Sequence, residues 1–470
     1  MTSSSYEYGI RHALNELAAI FEAQWSNGLL PQIRFVPGQT GYRPDAADWG
    51  VTPDIAGQSR VTTSGITQPP VMGRCAERVF RRLADPTPYR HEFLALVDGV
   101  ERFHDFLLTE RDPFDEGVVV CLHPWETGTD NSPAFEPLLQ ATRRFLYERH
   151  IPIDTFGRAD TVHVRAEHRP TARDYVAYFG LLALFKQYRY DQARIAANSP
   201  FLLQDVLFNA TLADSLAAMA DLEDELARLA DNPTEAASLH ERAGQNRERR
   251  DRLAEAMRSR LWSEADGLFY ARDARRGELL PVPTVSSFMP LLSGVATPDQ
   301  ARRLLDHLRD PAEFAAPFPV PSTALNHPAF DPYRYWAGPS WPVPNWFLAR
   351  ALQDHDPALA EHLRQRTLTM IAEGEGDPER WRVRAEQTMQ LNSVGGRTTT
   401  PSRGQYQHAW LWDSAIAAVG WAHIDRQPDP LDPDSDGPLF WEYYHPQTGD
   451  PLGAKLMTWT AAVYLDLLDP

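Results

Sequence analysis

Apolar residues recur at three- and four-residue spacing from one end of this chain to the other, and that period dictates the class of fold it can build. The stretches 11–24 (RHALNELAAIFEAQ), 90–108, 173–188, 212–230, 250–262, 298–308, 357–372 and 454–468 all carry it. Each reads as a helix with one stripe to bury. Strand signals are scarce, and only 268–282 reads as a β-hairpin. The Glu- and Arg-rich stretch 233–262 predicts a solvated outer helix rather than an arm for nucleic acid. Between the helices lie loops that concentrate Trp, Tyr, Pro, Gly and acids: 63–70 (TSGITQPP), 123–133 (HPWETGTDNSP), 329–346 (AFDPYRYWAGPSWPVPNW) and 441–453 (WEYYHPQTGDPLG). Paired helices joined by such loops predict an all-α ring of helical hairpins with its loops gathered at one mouth. No linker or composition break divides residues 1–470, so the expectation is a single domain.

Charge and composition exclude several functions. With 46 basic and 64 acidic side chains the net charge is −18, the wrong sign for a phosphate backbone or an anionic membrane. A small or neutral partner suits it better, and a homo-oligomer stays open. Lysine occurs only as Lys186 and Lys455, which argues against Schiff-base chemistry. Two separated cysteines, Cys75 and Cys121, make neither a disulfide framework nor a zinc site and read as buried thiols. The first twenty residues lack a basic start followed by an apolar core, and no apolar run is long enough to span a bilayer. The expected location is cytoplasmic.

The loops carry the chemistry. HPWETGTDNSP sets Glu126 and Asp130 around a kink that Gly128 and the following Asn-Ser-Pro impose, and loops that spend acids and a tryptophan together are more often sites than connectors. Trp125, Trp336, Trp341, Trp410, Trp412 and Trp441 sit beside Gly, Pro or acids, as in sites where indole faces stack on sugar C–H surfaces. Glycoside hydrolysis needs two carboxyls, one protonated to assist the leaving oxygen and one ionised. Asp130 and Glu442 have the richest aromatic company, but only folding could unite residues so far apart. Asp432, Asp434, Asp436 and Gly437 imitate half a calcium loop. Its bidentate acid would fall at position 443, which is Tyr443, and Pro433 intrudes, so no metal is expected.

WETGTDNSP resembles the acid-bearing loop of glycoside hydrolase family 63, an inverting group of (α/α)6 barrels, and WEYYHPQTGDPLG running into WTAA resembles its base-bearing loop. TSGITQPP, YWAGPSWPVPNW and YQHAWLWDSA are similar to further family segments, and the likeness runs to the bacterial mannosylglycerate and glucosylglycerate hydrolases. The resemblance implies Asp130 as general acid and Glu442 as general base, about 6.5–9.5 Å apart so that a water fits between. It implies a sugar subsite of Tyr42, Gln68, Trp125, Trp336, Trp341, Tyr406, Trp410 and Asp413, and no cofactor. A glycerate aglycone carries a carboxylate, and the segment 156–175 offers Arg158, Arg165, Arg169 and Tyr175 as donors. The expected substrate is glucosylglycerate or mannosylglycerate. The alternatives are a related α-glucosidase acting on oligosaccharides, or an epimerase or isomerase on the same barrel with His123, His163, His408 or His445 as proton shuttle. A sugar-binding protein without catalysis is a further rival that the two retained carboxyls oppose. One departure stands out. In relatives the tyrosine–tryptophan–aspartate segment opens the chain, whereas here it lies near 405–425, within a relocated stretch of about 376–427. A ring places its first and last helices side by side, so the helix at about 408–422 is expected between the 11–24 helix and the C-terminal helix, with Asp413 facing the same pocket as Asp130 and Glu442.

Overall fold

The computed structural model describes residues 3–38, 42–153, 159–161, 164–372, 377–394, 397–398, 409–431 and 439–469. Among the described residues, thirteen α-helices have ten or more residues. They are α1 (Ser3–Phe21), α2 (Met72–Arg81), α3 (Arg90–Glu110), α4 (Glu136–Glu148), α5 (Ala172–Gln187), α6 (Val206–Arg228) and α7 (Pro233–Leu261). Next come α8 (Pro298–Arg309), α9 (Pro342–Ala351), α10 (Pro357–Ile371), α11 (Pro378–Leu391), α12 (Leu411–Trp421) and α13 (Thr458–Leu468).

Their packing closes a ring. α2 packs on α6, α6 on the 3-10 segment Val285–Gly294, that segment on α9, α9 on α13, α13 on α12, and α12 back on α2. Outside this inner circle of six, α3 covers α2 and α6, α7 covers α6, α8 covers the 3-10 segment, α10 covers α9 and α13, α11 covers α13, and α1 covers α12. This is the (α/α)6 barrel, with α4 and α5 as an extra pair. One contiguous core runs through it from Ile10 to Leu467, and a smaller aromatic cluster of Trp336, Trp341 and Tyr443 lies apart.

Local sequence explains where most outer helices start. α7, α8, α10 and α11 open on Asn232-Pro233, Thr297-Pro298, Asp356-Pro357 and Asp377-Pro378. In each, the first side chain accepts a backbone N–H of the opening turn, while proline occupies a position whose N–H would lack a partner anyway. Among the inner helices, α2, α9, α12 and α13 have no side-chain cap. They are entered instead from irregular loops, which backbone bridges tie together at Cys121–Leu203, Thr284–Thr323, Pro321–Ser340 and Ser340–Tyr444. Two short antiparallel pairs also belong to this mouth: β1 (Ile33–Arg34) with β2 (Ala409–Trp410), and β3 (Trp441–Tyr444) with β4 (Pro451–Lys455).

The expected helix at 454–468 needs correction. Its first residues belong to β4, and the helix begins at Thr458. The 268–282 hairpin is really two interactions: Leu268–Phe269 pairs back with Trp262–Ser263, while Arg272–Asp273 pairs with Glu278–Leu279. The late helix packs where it was expected. α12 packs between α1 and α13, and Asp413 is buried in its first turn. The calcium-like run 432–437 and Tyr406, Arg158, His163 and His408 lie outside the described residues.

Close helix approach at α12 depends on missing side chains. A Cβ on Gly420 would stand 2.6 Å from the Cα and Cβ of Ala462 and 2.9 Å from Met389 Sδ, and one on Gly9 would stand 2.2 Å from the carbonyl oxygen of Trp421. Gly420→Ala gains about 1 kcal/mol of helix propensity. It should nonetheless lower the thermal midpoint, because overpacking costs about 1–3 kcal/mol. Gly244→Ala, in α7 where a Cβ meets nothing within 4 Å, should raise it through about 0.5–1 kcal/mol. Paired thermal melts check the opposite signs.

Candidate active site

The acid-bearing loop is fixed from beneath by a buried ion pair. Arg111 donates from Nη2 to Glu126 Oε1 at 2.7 Å and from Nη1 to Oε2 at 2.9 Å, and neither side chain reaches solvent appreciably. Glu126 Oε2 also accepts the backbone N–H of Leu122 at 2.7 Å, and Oε1 accepts that of Thr67 at 3.2 Å. Glu126, one of the two acids that marked this loop, is therefore an internal brace joining 122–130 to the 63–70 loop. Asp130 is left as the acid that is not internally paired in this way.

Asp130 keeps partial surface exposure, while Tyr178 on α5 donates its hydroxyl to the Asp130 carbonyl at 3.0 Å. Burial pushes its carboxyl up to about 7, and the negative charge of Glu442 adds to the rise against the opposing pull of Arg169. Glu442, buried on β3, is held differently. Arg169 donates from Nη1 to Oε1 at 2.8 Å and from Nη2 to Oε2 at 2.7 Å, and Ala454 N–H of β4 donates to Oε2 at 2.9 Å. The β3–β4 hairpin closes onto the carboxylate because residue 453 is glycine: a Cβ there would stand 2.6 Å from Glu442 Oε2, at a φ of +81°. The Arg169 guanidinium also lies 5.0 Å over the Tyr335 ring. Burial, then the anionic field of Glu442 and Asp130, pushes the Tyr335 hydroxyl well above its ordinary value. Asp130, Glu442, Arg169 and Tyr335 thus form one electrostatic unit, although 273 residues separate Arg169 from Glu442.

Aromatic side chains surround this unit. Trp336 and Trp341 stack face to face at 3.9 Å and 3°, and Trp341 lies 4.5 Å from Tyr443. The Trp336 N–H donates to Asn131 Oδ1 at 3.0 Å, which fastens the 329–346 loop to the acid loop. Both indoles are buried, so much of their surface is spent on each other and on Tyr443. Trp125 is half-buried, edge-on to Tyr178 at 5.5 Å and to Tyr175 at 6.4 Å, and Tyr175 donates its hydroxyl to Asp160 at 2.9 Å. Gln68 accepts the Trp412 backbone N–H at 3.0 Å, and the Trp412 ring lies under Gly128 of the acid loop. Trp410 meets Tyr42 edge-on at 5.7 Å, and its buried indole N–H has no partner among the described residues. Arg165 is not at the carboxylates: it lines an adjacent open cleft of about 1030 Å³ together with His168, Tyr333, Trp441 and Lys455.

Sequence reasoning missed Tyr335, Tyr178 and the Arg111 brace. Tyr335 had a signal, since it stands in the same aromatic loop as Trp336; Tyr178 and Arg111 sit in ordinary helical contexts that give none. Of the described candidates, His123 and His445 are poor proton shuttles. Burial lowers His123 to about 4, its Nδ1 accepts the Trp125 N–H at 3.1 Å, and its Nε2 faces the Tyr178 carbonyl at 3.0 Å. His445 Nδ1 accepts the amides of Gln447 and Thr448. Among the described residues no group of three or more His, Cys, Asp or Glu could hold a metal ion, and no helix is long and apolar enough to cross a membrane.

This geometry has relatives. Over 349 residues the chain is 34% identical to a mannosylglycerate hydrolase of Rubrobacter radiotolerans, covering 74% of this chain and 75% of that one. It is 28% identical over 487 residues to a glucosylglycerate hydrolase of Mycolicibacterium hassiacum, covering 98% and 87%. The crystal structure of a GH63 mannosylglycerate hydrolase from Thermus thermophilus in complex with Tris superposes with a TM-score of 0.69 at 27% identity, covering 98% of this chain and 91% of that one. Residues 8–381 match the mannosylglycerate hydrolase MGH1-like glycoside hydrolase domain, and the chain belongs to that family.

Proposed function

We propose that this glycoside hydrolase inverts configuration at a small α-glycoside of glycerate, with glucose or mannose as the sugar and the whole chain acting as one catalytic domain. The observation that carries the reading is the contrast between two carboxyls in one site. Burial holds the Asp130 proton up to about 7, whereas Glu442 sits among three donors that suit an anion. Environments that push two carboxyls apart assign acid and base. Asp130 gives its proton to the glycosidic oxygen as the bond to the anomeric carbon breaks. Glu442 takes a proton from a water attacking the opposite face, and the new C–O bond inverts the centre. Sugar hydroxyls and C–H faces meet Tyr42, Gln68, Trp125, Trp336, Trp341, Trp410 and Asp413. The aglycone carboxylate meets Arg169 and Tyr175. The substrate names borne by relatives at 28–34% identity, which include both sugars, support this substrate class.

Asp130→Asn and Glu442→Gln are each expected to cut kcat by roughly 10²–10⁴-fold on glucosylglycerate and mannosylglycerate with far-ultraviolet circular dichroism unchanged. Retention of most activity by both would remove these roles. Proton NMR of a fresh reaction should show the β-anomer first; α-anomer first means retention. The pH dependence follows from the raised Asp130 pKa. The working acid is lost as pH rises through about 7, so kcat/KM should fall about tenfold per unit above it. Stability carries the same sign. The folded state keeps a proton that the unfolded chain gives up between 3.8 and about 7, so this carboxyl destabilises the fold increasingly as pH rises through that window. Asp130→Asn should therefore melt above the wild type at about pH 8 and together with it at about pH 3.

A further inference from the structure

The base of the reaction is tied up in the free protein. Both Glu442 oxygens are held by the fork of Arg169, and Oε2 also takes the Ala454 amide. A carboxylate offers about four lone-pair directions. Three are occupied, and the charge that should draw a proton off water is neutralised by a guanidinium. The other edge of that guanidinium is unsatisfied: Arg169 Nε is buried without a hydrogen-bond partner among the described residues. Stacking over Tyr335 fixes the plane of the guanidinium, so this edge keeps a set direction. A buried donor left unmade is costly, and an arginine edge matches a carboxylate in particular.

We propose that Arg169 makes activation of Glu442 depend on a carboxylate in the leaving group. The inference rests on the assignment of Glu442 as base. In the free protein Arg169 and Glu442 cancel, and Asp130 is neutral below about pH 7. A carboxylate arriving at the Nε edge adds one negative charge, shares the guanidinium with Glu442 and loosens its hold on Glu442. Water is then deprotonated by a base that the substrate itself has released. A neutral glycoside of the same sugar binds to a site whose base stays neutralised, so discrimination appears in kcat as well as in KM. Arg169 is a positioning and specificity-determining residue; it exchanges no proton and forms no bond to the sugar.

The test uses the intact protein and a substrate without a carboxylate, α-glucosyl fluoride or α-mannosyl fluoride, whose fluoride departs with little help from an acid. Adding D-glycerate should increase fluoride release by roughly threefold or more. Glycerol, and sodium chloride at matched ionic strength, serve as neutral and ionic controls that should leave the rate unchanged. Glycerate acting only as an inhibitor, or glycerol activating equally, overturns the proposal. Arg169→Gln should release fluoride faster than the wild type without glycerate and lose the response to it. Its kcat/KM profile should show the acidic limb moved to higher pH. Arg169→Lys keeps the charge but not the two-edged fork, and should lose the response while staying slow. Should the glutamine variant fail to fold, the wild-type response to glycerate decides alone. Parallel assays on glucosylglycerate and mannosylglycerate separate the two ideas. Their cleavage by wild type and not by Glu442→Gln, with no glycerate activation of the fluoride, removes the coupling and leaves the assignment of Glu442 standing. No turnover of any substrate removes both.

Discussion

The buried pair between Arg111 and Glu126 is the constraint on which the site depends. The 122–130 segment is irregular, carries glycine, and has no ladder of its own to hold it. Glu126 spends its lone pairs inward on Arg111 and on the amides of Leu122, His123 and Thr67. Arg111 spends its remaining donors on Gln192 and the Val120 carbonyl. Ionised groups removed from water survive only with such complete pairing, and loss of one partner of such a pair costs about 3–5 kcal/mol. The result is a loop anchored from within at Glu126, which presents Asp130 while the Asp130 carboxyl takes no part in that pair. The acid is available because its neighbour four residues earlier is not.

The two carboxyls then differ by what surrounds them rather than by what they are. Around Asp130 the protein supplies aromatic walls and a nearby negative charge, both of which favour the proton. Around Glu442 it supplies a guanidinium and an amide. Stacked Trp336 and Trp341, pinned to Asn131, connect these halves through Tyr443, so the acid loop, the 329–346 loop and the β3–β4 hairpin are in continuous contact. Under the proposed roles, preorganisation of this kind separates acid from base at neutral pH.

Much of this was legible in the chain. Period 3.6 marked most of the long helices, Asx-Pro and Thr-Pro pairs marked where outer ones begin, and the acid-rich aromatic loops marked the mouth. Asp130 and Glu442 stood out because loops seldom hold acids beside tryptophan without a reason. What periodicity could not carry was tertiary choice. Glu126 and Asp130 look equivalent in sequence, and only Arg111, fifteen residues upstream just past the end of α3, decides which becomes the brace. The Arg169–Glu442 pair spans 273 residues with no local trace. Residues 454–457 read as helix because their apolar spacing continues that of α13, yet pairing across the hairpin with Trp441 wins. The inner helix α9, buried nearly all round, lacks the one-sided stripe that reveals an outer helix, whereas α2 carries one in Met72, Cys75, Ala76, Val79 and Phe80 but over only ten residues.

The late position of α12 gives the molecule a particular order of birth. α1 is made first, but the surface it must cover belongs to a helix almost four hundred residues downstream, and its Tyr8 hydroxyl bonds to Gln390, 382 positions away. At roughly 5–20 residues per second, about 20–80 s pass at the ribosome before that partner exists. Throughout this time α1 has only its smaller contacts with α2 and α3, and α2 lacks one of its two flanking neighbours in the inner circle. Most of the ring can assemble in the order it is synthesised, but it cannot shut. The last inner helices to emerge act as the keystone of an arch already standing, and until they drop in, the earliest helix is the one that a chaperone must shelter.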